Sequence, residues 1–192
     1  MEMLDPSDIQ TLYRIRNTIY NPNSDTFLSK VLTKGSRGNY ISNGQNSTTV
    51  GGCVAKLQDT KGLETYDDFY DAFGLDYNPP GFHPDTDEFL SVIRFKTQDT
   101  DALKVPFGGN TDADLRSIES ALGLSRSELT KMDYPFLGGG ITKSEKGLGK
   151  PEYLNKPNKY LNIDDGAAIY DVYKDGTEKL IAIFYEGEWI KI

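Results

Sequence analysis

The sequence predicts one α+β domain spanning residues 1–192. Helices fall mostly in the N-terminal two-thirds, and an antiparallel β-meander closes the chain. Three observations point there. Capped stretches with helical apolar spacing occur near residues 5–20, 65–74 and 111–123. The last 26 or so residues alternate β-rich runs with Asp175-Gly176 and Glu186-Gly187 turn pairs. Helices come early and strands late, which argues against the strict βαβ alternation of a parallel sheet.

Taken in order, Asp5-Pro6-Ser7-Asp8 has a cap, a first-turn proline and an acid at the positive end of the helix dipole. Ile9, Leu12, Tyr13, Ile19 and Tyr20 then form one apolar face, and Asn21-Pro22-Asn23-Ser24 stops it. A rival reading makes residues 12–15 a strand. Residues 27–32 form a short ordered piece of either type, and residues 34–38 a loop. Tyr40-Ile41-Ser42 reads as a strand closed by the Asn43-Gly44 turn. Thr48 or Thr49 caps a helix running to about Gln58. Thr65 with Asp68 caps another, with Phe69, Ala72 and Phe73 inside it and Gly74 after it. A three-proline loop over residues 76–87 leads into a strand over residues 88–97, rich in β-branched and aromatic side chains. Leu115, Ile118 and Leu122 share a helical face ended by Gly123, and Ser125 with Glu128 boxes a short helix to about Met132. The tail supplies strands over residues 167–173, 177–185 and 188–192.

Composition bounds the function classes. A chain of 192 residues with 37% apolar residues can bury a sizeable core. No apolar run is long enough to span a membrane. The N-terminus lacks the basic and apolar regions of a signal peptide, so the expectation is a cytoplasmic protein or one delivered into a target cell by a specialised secretion system. A net charge of −8 adds to the repulsion from phosphate backbones, so nucleic acid is not an expected partner. The charge suits a basic protein partner. Cys53 is the only cysteine, which removes internal disulfides and cysteine-rich metal sites, and Val50, Cys53, Val54 and Leu57 have helical spacing, so Cys53 reads as a small core residue.

Few constellations carry chemistry. His83 is the only histidine and stands among Asp85, Asp87 and Glu88, without the spacing of a calcium loop or a second nitrogen ligand for zinc. That run reads as a solvated acidic loop, and no metal is expected. The glycine-rich stretches 138–140 and 147–149 lack the strand–turn–helix context of a dinucleotide fingerprint, yet they suit the wall of a pocket. Glu152 follows them in Gly147-Leu148-Gly149-Lys150-Pro151-Glu152-Tyr153-Leu154, at the start of an extended segment. A carboxylate fixed there can stabilise positive charge at an oxocarbenium-like centre while an N-glycosidic bond breaks. Tyr134, Phe136 and Tyr153 are candidates to stack on a flat heterocycle. A pyrophosphate calls for an arginine fork, and Arg14, Arg37 and Arg94 are available.

Three elements in this order resemble bacterial mono-ADP-ribosyltransferase toxins, of the kind found as terminal modules of polymorphic toxins. Leu12-Tyr13-Arg14 looks like the family's early arginine. Asn39-Tyr40-Ile41-Ser42, or Ser47-Thr48-Thr49, looks like its serine-bearing strand end, and Pro151-Glu152 looks like its late catalytic glutamate. Lys150 stands where the family has a second acid or glutamine, which favours NAD hydrolysis or an acceptor other than arginine. The resemblance implies an ADP-ribosyltransferase-like fold and NAD as substrate, with Glu152 catalytic, Arg14 on the pyrophosphate, and Ser47 or Ser42 on the nicotinamide ribose. It also implies a protein acceptor if the reaction is a transfer, and an immunity protein that blocks the cleft. The alternative from composition alone is an acidic, non-catalytic binding module of immunity or adaptor type.

Overall fold

The computed structural model describes residues 5–76, 81–101, 103–131, 139–142, 144–154 and 159–192. It is an α+β domain built on an antiparallel sheet of seven strands. Helix α1 (Pro6–Asn17) comes first, then β1 (Leu28–Leu32), α2 (Lys34–Ile41), β2 (Thr49–Val50), β3 (Cys53–Lys56) and α3 (Tyr66–Ala72). Next are β4 (Phe89–Phe95), β5 (Gly108–Gly109), α4 (Asp112–Leu122), β6 (Thr130–Lys131) and β7 (Tyr153–Leu154). The chain ends with β8 (Leu161–Asn162), β9 (Ala168–Tyr173), β10 (Glu178–Tyr185) and β11 (Glu188–Lys191). The large sheet runs β11-β10-β9-β4-β1-β3-β7, and the pairs β2-β8 and β5-β6 stand apart.

Local chemistry explains the helix ends. Asp5 accepts the amides of Ser7 and Asp8 at the start of α1. Thr65 with Asp68, and Thr111 with Asp114, form capping boxes on α3 and α4. Gly123 ends α4 in the left-handed region at φ 67°. The meander forms as its turn pairs predict, with Glu186 and Gly187 both at positive φ between β10 and β11.

The middle of the chain departs from the sequence expectation. Residues 34–41 are helix α2, not a loop followed by a strand, even though Gly35 and Gly38 are poor helix formers. Thr33 caps it by accepting the Ser36 amide. Lys34 and Arg37 then tie it to the buried carboxylates of Asp87 and Asp171. Tertiary anchoring outweighs propensity here. Residues 49–56 are two short strands, not a helix; Val50, Cys53 and Val54 are all buried, and Gly52 turns the chain at φ 74°. Residues 126–128 make only a 3₁₀ turn, because the next residues pair as β6 alongside β5. Residues 28–32 are a central strand with neighbours on both sides.

Apolar side chains fill both faces of the sheet. One layer, holding Leu28, Leu32, Val54, Ile93, Phe95, Tyr153, Ile169 and Trp189, takes Tyr40 of α2. The opposite layer packs Tyr66, Phe69 and Ala72 of α3 against Leu90, Val92 and Val172. α1 and α4 form a side unit through Ile9, Phe107 and Ile118. Among the described residues no helix is long and apolar enough to cross a membrane.

Candidate functional site

Glu152 enters the fold through an ordered loop. Asp71 near the end of α3 accepts Ser144 Oγ–H, the Glu145 amide at 2.8 Å and the Lys146 amide at 3.4 Å. Thr142 donates its hydroxyl to the Ala72 carbonyl and accepts the Lys150 amide at 2.8 Å. The glycines serve this packing. A Cβ on Gly149 would lie 2.3 Å from the Thr142 carbonyl oxygen, and one on Gly140 would lie 2.4 Å from Val105. The second glycine stretch is therefore a folded arm lying on α3.

The loop delivers Glu152 beside the edge strand β7. Its amide donates to the Gly140 carbonyl at 2.9 Å. Cys53 pairs with Leu154 across β3 and β7, so alternation puts Glu152 on the face that carries Cys53. The Glu152 side chain is partly buried, and no hydrogen bond to it is formed among the described residues. Burial raises its pKa to about 7, while the positive charge of Lys30 pulls the other way. The same carboxylate helps push the Cys53 thiol up to about 12, after burial itself.

Lys30 connects this acid to a cleft of about 630 Å³. α2 forms one wall with Gly35, Ser36, Asn39 and Tyr40; Lys30 and Leu32 of β1, parts of the segment from Gln45 to the Gly51-Gly52 turn, and Leu154 with Lys159 and Tyr160 form the rest among the described residues. Among the described residues the lining holds two lysines and no carboxylate, in a chain whose net charge is −8. Lys30 Nζ donates to the Cys53 carbonyl at 2.9 Å. A Cβ on Gly52 would come within 3.3 Å of that ammonium, and one on Gly51 would lie 2.6 Å from the Tyr160 ring. The bare Gly51-Gly52 backbone thus lets a cation and an aromatic ring close on it from two sides. Glu152 does not line the cleft, but Leu154, two residues on, does.

The arginines named from sequence are placed elsewhere. Arg14 is exposed on α1, not on a strand, and donates to Thr11. Arg37 grips Asp171 with Nε and Nη2, at 2.9 and 2.7 Å, and lies over the Phe89 ring. Arg94 pairs with Glu178 and stacks on Tyr170. Ser47 is buried and its carbonyl accepts the Trp189 indole N–H at 2.8 Å. Ser42 ends α2 and bonds back to Asn39. Neither serine lines the cleft; Ser36 does. Tyr153 is fully buried with its hydroxyl on the Tyr20 carbonyl, leaving no face for a ligand. Tyr134 and Phe136 lie outside the described residues.

Lys30, Lys159 and Tyr160 were not singled out from sequence. Lys30 carried the only signal, as a cation inside the apolar run Phe27-Leu28-Ser29-Lys30-Val31-Leu32. In the acidic loop, Asp87 is buried and accepts Lys34 at 2.6 Å and the His83 amide at 2.9 Å. It is an anchor for α2. Among the described residues, no group of three or more His, Cys, Asp or Glu side chains converges as a metal site requires. No protein-family model, no curated protein and no solved structure matches the chain.

Proposed function

We propose that this chain is an NAD-consuming domain that breaks the nicotinamide–ribose bond, with Glu152 as the acid–base group. One observation carries the reading: a partly buried carboxyl, to which no hydrogen bond is formed among the described residues and whose pKa is raised to about 7, lies beside the lysine that lines the cleft. In the reaction the C1′–N bond breaks and nicotinamide leaves with the bonding pair. Water then adds to C1′ and gives its proton to Glu152. Cationic charge growing at C1′ favours the ionised carboxylate, so the group adds electrostatic stabilisation when it is needed. The pyrophosphate role moves from Arg14 to lysines, since Arg37 and Arg94 are held in ion pairs. The resemblance to mono-ADP-ribosyltransferase toxins extends this proposal to delivery into a target cell and to an immunity protein over the cleft. Transfer to a protein acceptor instead of water follows the same bond cleavage.

Incubation with NAD tests the reading through free nicotinamide. Release by the wild type and none by Glu152→Gln is expected. Equal release by both variants, or none by the wild type with or without added acceptor proteins, counts against it.

A second reading, an acidic docking module without turnover, is favoured by the surface at the other end of the sheet. Tyr185 on β10, Ile190 on β11 and Ile192 just after it are each at least half exposed, and β11 is an edge strand of the sheet. That reading expects tight binding of a basic protein and no nicotinamide release.

A further inference from the structure

We infer that the cleft holds a diphosphate group between Lys30 and Lys159, so that diphosphate-bearing small molecules are the ligand class it selects. This deepens the NAD reading above, on which the choice of substrate rests, but it stands on separate observations.

Charge is the first. Among the described residues, a chain of net charge −8 places two lysines and no carboxylate on one concave surface. A cleft walled by protein focuses the field of its lining charges, so an anion there meets attraction where the rest of the surface repels it. The second is the availability of Lys30. The residue is partly buried, and its ammonium spends one N–H on the Cys53 carbonyl at 2.9 Å, its one hydrogen bond among the described residues. Two donors remain for a ligand oxygen. The third is that the cations come from separate elements. Lys30 sits on a central strand, and Lys159 on the segment that follows β7. Two cations from different walls suit a ligand whose charge spans two phosphate groups better than a single compact anion.

The remaining lining fits the rest of such a ligand. Ser36, Asn39, Gln45 and Asn46 supply neutral hydrogen-bonding groups. Tyr160, 56% exposed over Gly51, offers an aromatic edge to the cleft. At about 630 Å³ the space lies within the usual range for small-molecule sites. The first turn of α2 borders the cleft, and its positive dipole end adds to the attraction.

Isothermal titration of the full chain with inorganic pyrophosphate tests the inference. Saturable binding is expected, weakened at least about tenfold by Lys30→Gln and likewise by Lys159→Gln, each of which removes a charged donor. Lys191→Gln, on β11 away from the cleft, is expected to leave Kd unchanged. Lys159 is exposed and forms no ion pair among the described residues, so its substitution stays informative even if Lys30→Gln impairs folding. Absence of binding, or binding indifferent to Lys159→Gln, overturns the inference. Pyrophosphate binding without nicotinamide release refutes the NAD reading while the subsite stands. Nicotinamide release that excess pyrophosphate does not inhibit refutes the subsite while the NAD reading stands.

Discussion

Arg37 holds Asp171 through two parallel bonds of 2.9 and 2.7 Å, and the carboxylate they reach is only 2% exposed. Ser91 adds a third bond to it at 2.5 Å. The pair fastens α2 to β9 across the sheet and so fixes one wall of the cleft. Arg37→Ala leaves a buried carboxylate with a single neutral donor. Its expected cost is about 3 kcal/mol, the scale of breaking a buried pair from one side. Arg94→Ala, at a pair 21% and 35% exposed, is expected to cost about 0.5–1 kcal/mol. Urea denaturation midpoints compare the two, and equal losses would contradict the assignment of Arg37 as the anchor.

Glu152 makes stability depend on pH in an unusual direction. Its pKa is raised from an ordinary 4.5 to about 7, so the folded chain binds the proton more tightly than the unfolded chain. Stability from this group is full below about pH 4.5 and is lost as pH rises to about 7, with little change beyond. The rise from 4.5 to about 7 limits the loss to about 3 kcal/mol. Glu152→Gln is therefore expected to raise the denaturation midpoint at pH 8 and to change it little at pH 5. A variant destabilised at pH 8 would show that the ionised carboxylate is better satisfied than its surroundings indicate.

Cys53 is expected to be inert in the native protein. Burial first, and the neighbouring Glu152 charge second, push its thiol up to about 12, leaving almost no thiolate at neutral pH. A thiol reagent such as Ellman's should react at the rate of unfolding, and Glu152→Gln should leave that protection intact. Rapid labelling of the folded chain would contradict the burial of β3.

The loop that presents Glu152 is expected to loosen in acid. Asp71 is held below its ordinary 3.8, first by the Ser144 hydroxyl; burial opposes this, and the Glu145 and Lys146 amides add to the lowering. A depressed carboxylate stabilises above its unfolded pKa and loses that contribution as pH falls through the folded value. Asp71→Asn at neutral pH should speed hydrogen exchange at the amides of Glu145 and Lys146 while those of β4 and β9 stay protected. Unchanged exchange in the loop would mean that Asp71 does not hold it.

The legible parts of the sequence were those where local chemistry decides. Thr65 with Asp68, Thr111 with Asp114 and the Glu186-Gly187 turn each satisfy backbone groups within a few residues, so α3, α4 and the meander could be read directly. α2 could not, because Gly35 and Gly38 argue against a helix and its anchors, Asp87 and Asp171, lie far along the chain. β2 and β3 were missed for a related reason. Val50, Cys53, Val54 and Leu57 share helical spacing by coincidence, while pairing with Leu161 and Leu154 sets the strands. For the site, Glu152 was visible as an acid after Pro151, but its neighbours were not. Lys30 and Lys159 are 129 residues apart in numbering, and only the sheet and the segment beyond β7 bring them to one cleft. Arg14 drew notice as an arginine near the start, yet α1 turns it into solvent.

In the proposed reading, NAD lies in the cleft with its diphosphate on the two lysines and its nicotinamide ribose toward Glu152. A crystal structure of the Glu152→Gln protein with NAD tests it most directly, since the substitution is expected to stop turnover. Diphosphate oxygens within hydrogen-bond distance of Lys30 and Lys159, with C1′ facing the residue 152 side chain, is the predicted result. NAD bound elsewhere, or bound here with C1′ turned away from residue 152 and toward bulk solvent, would contradict it.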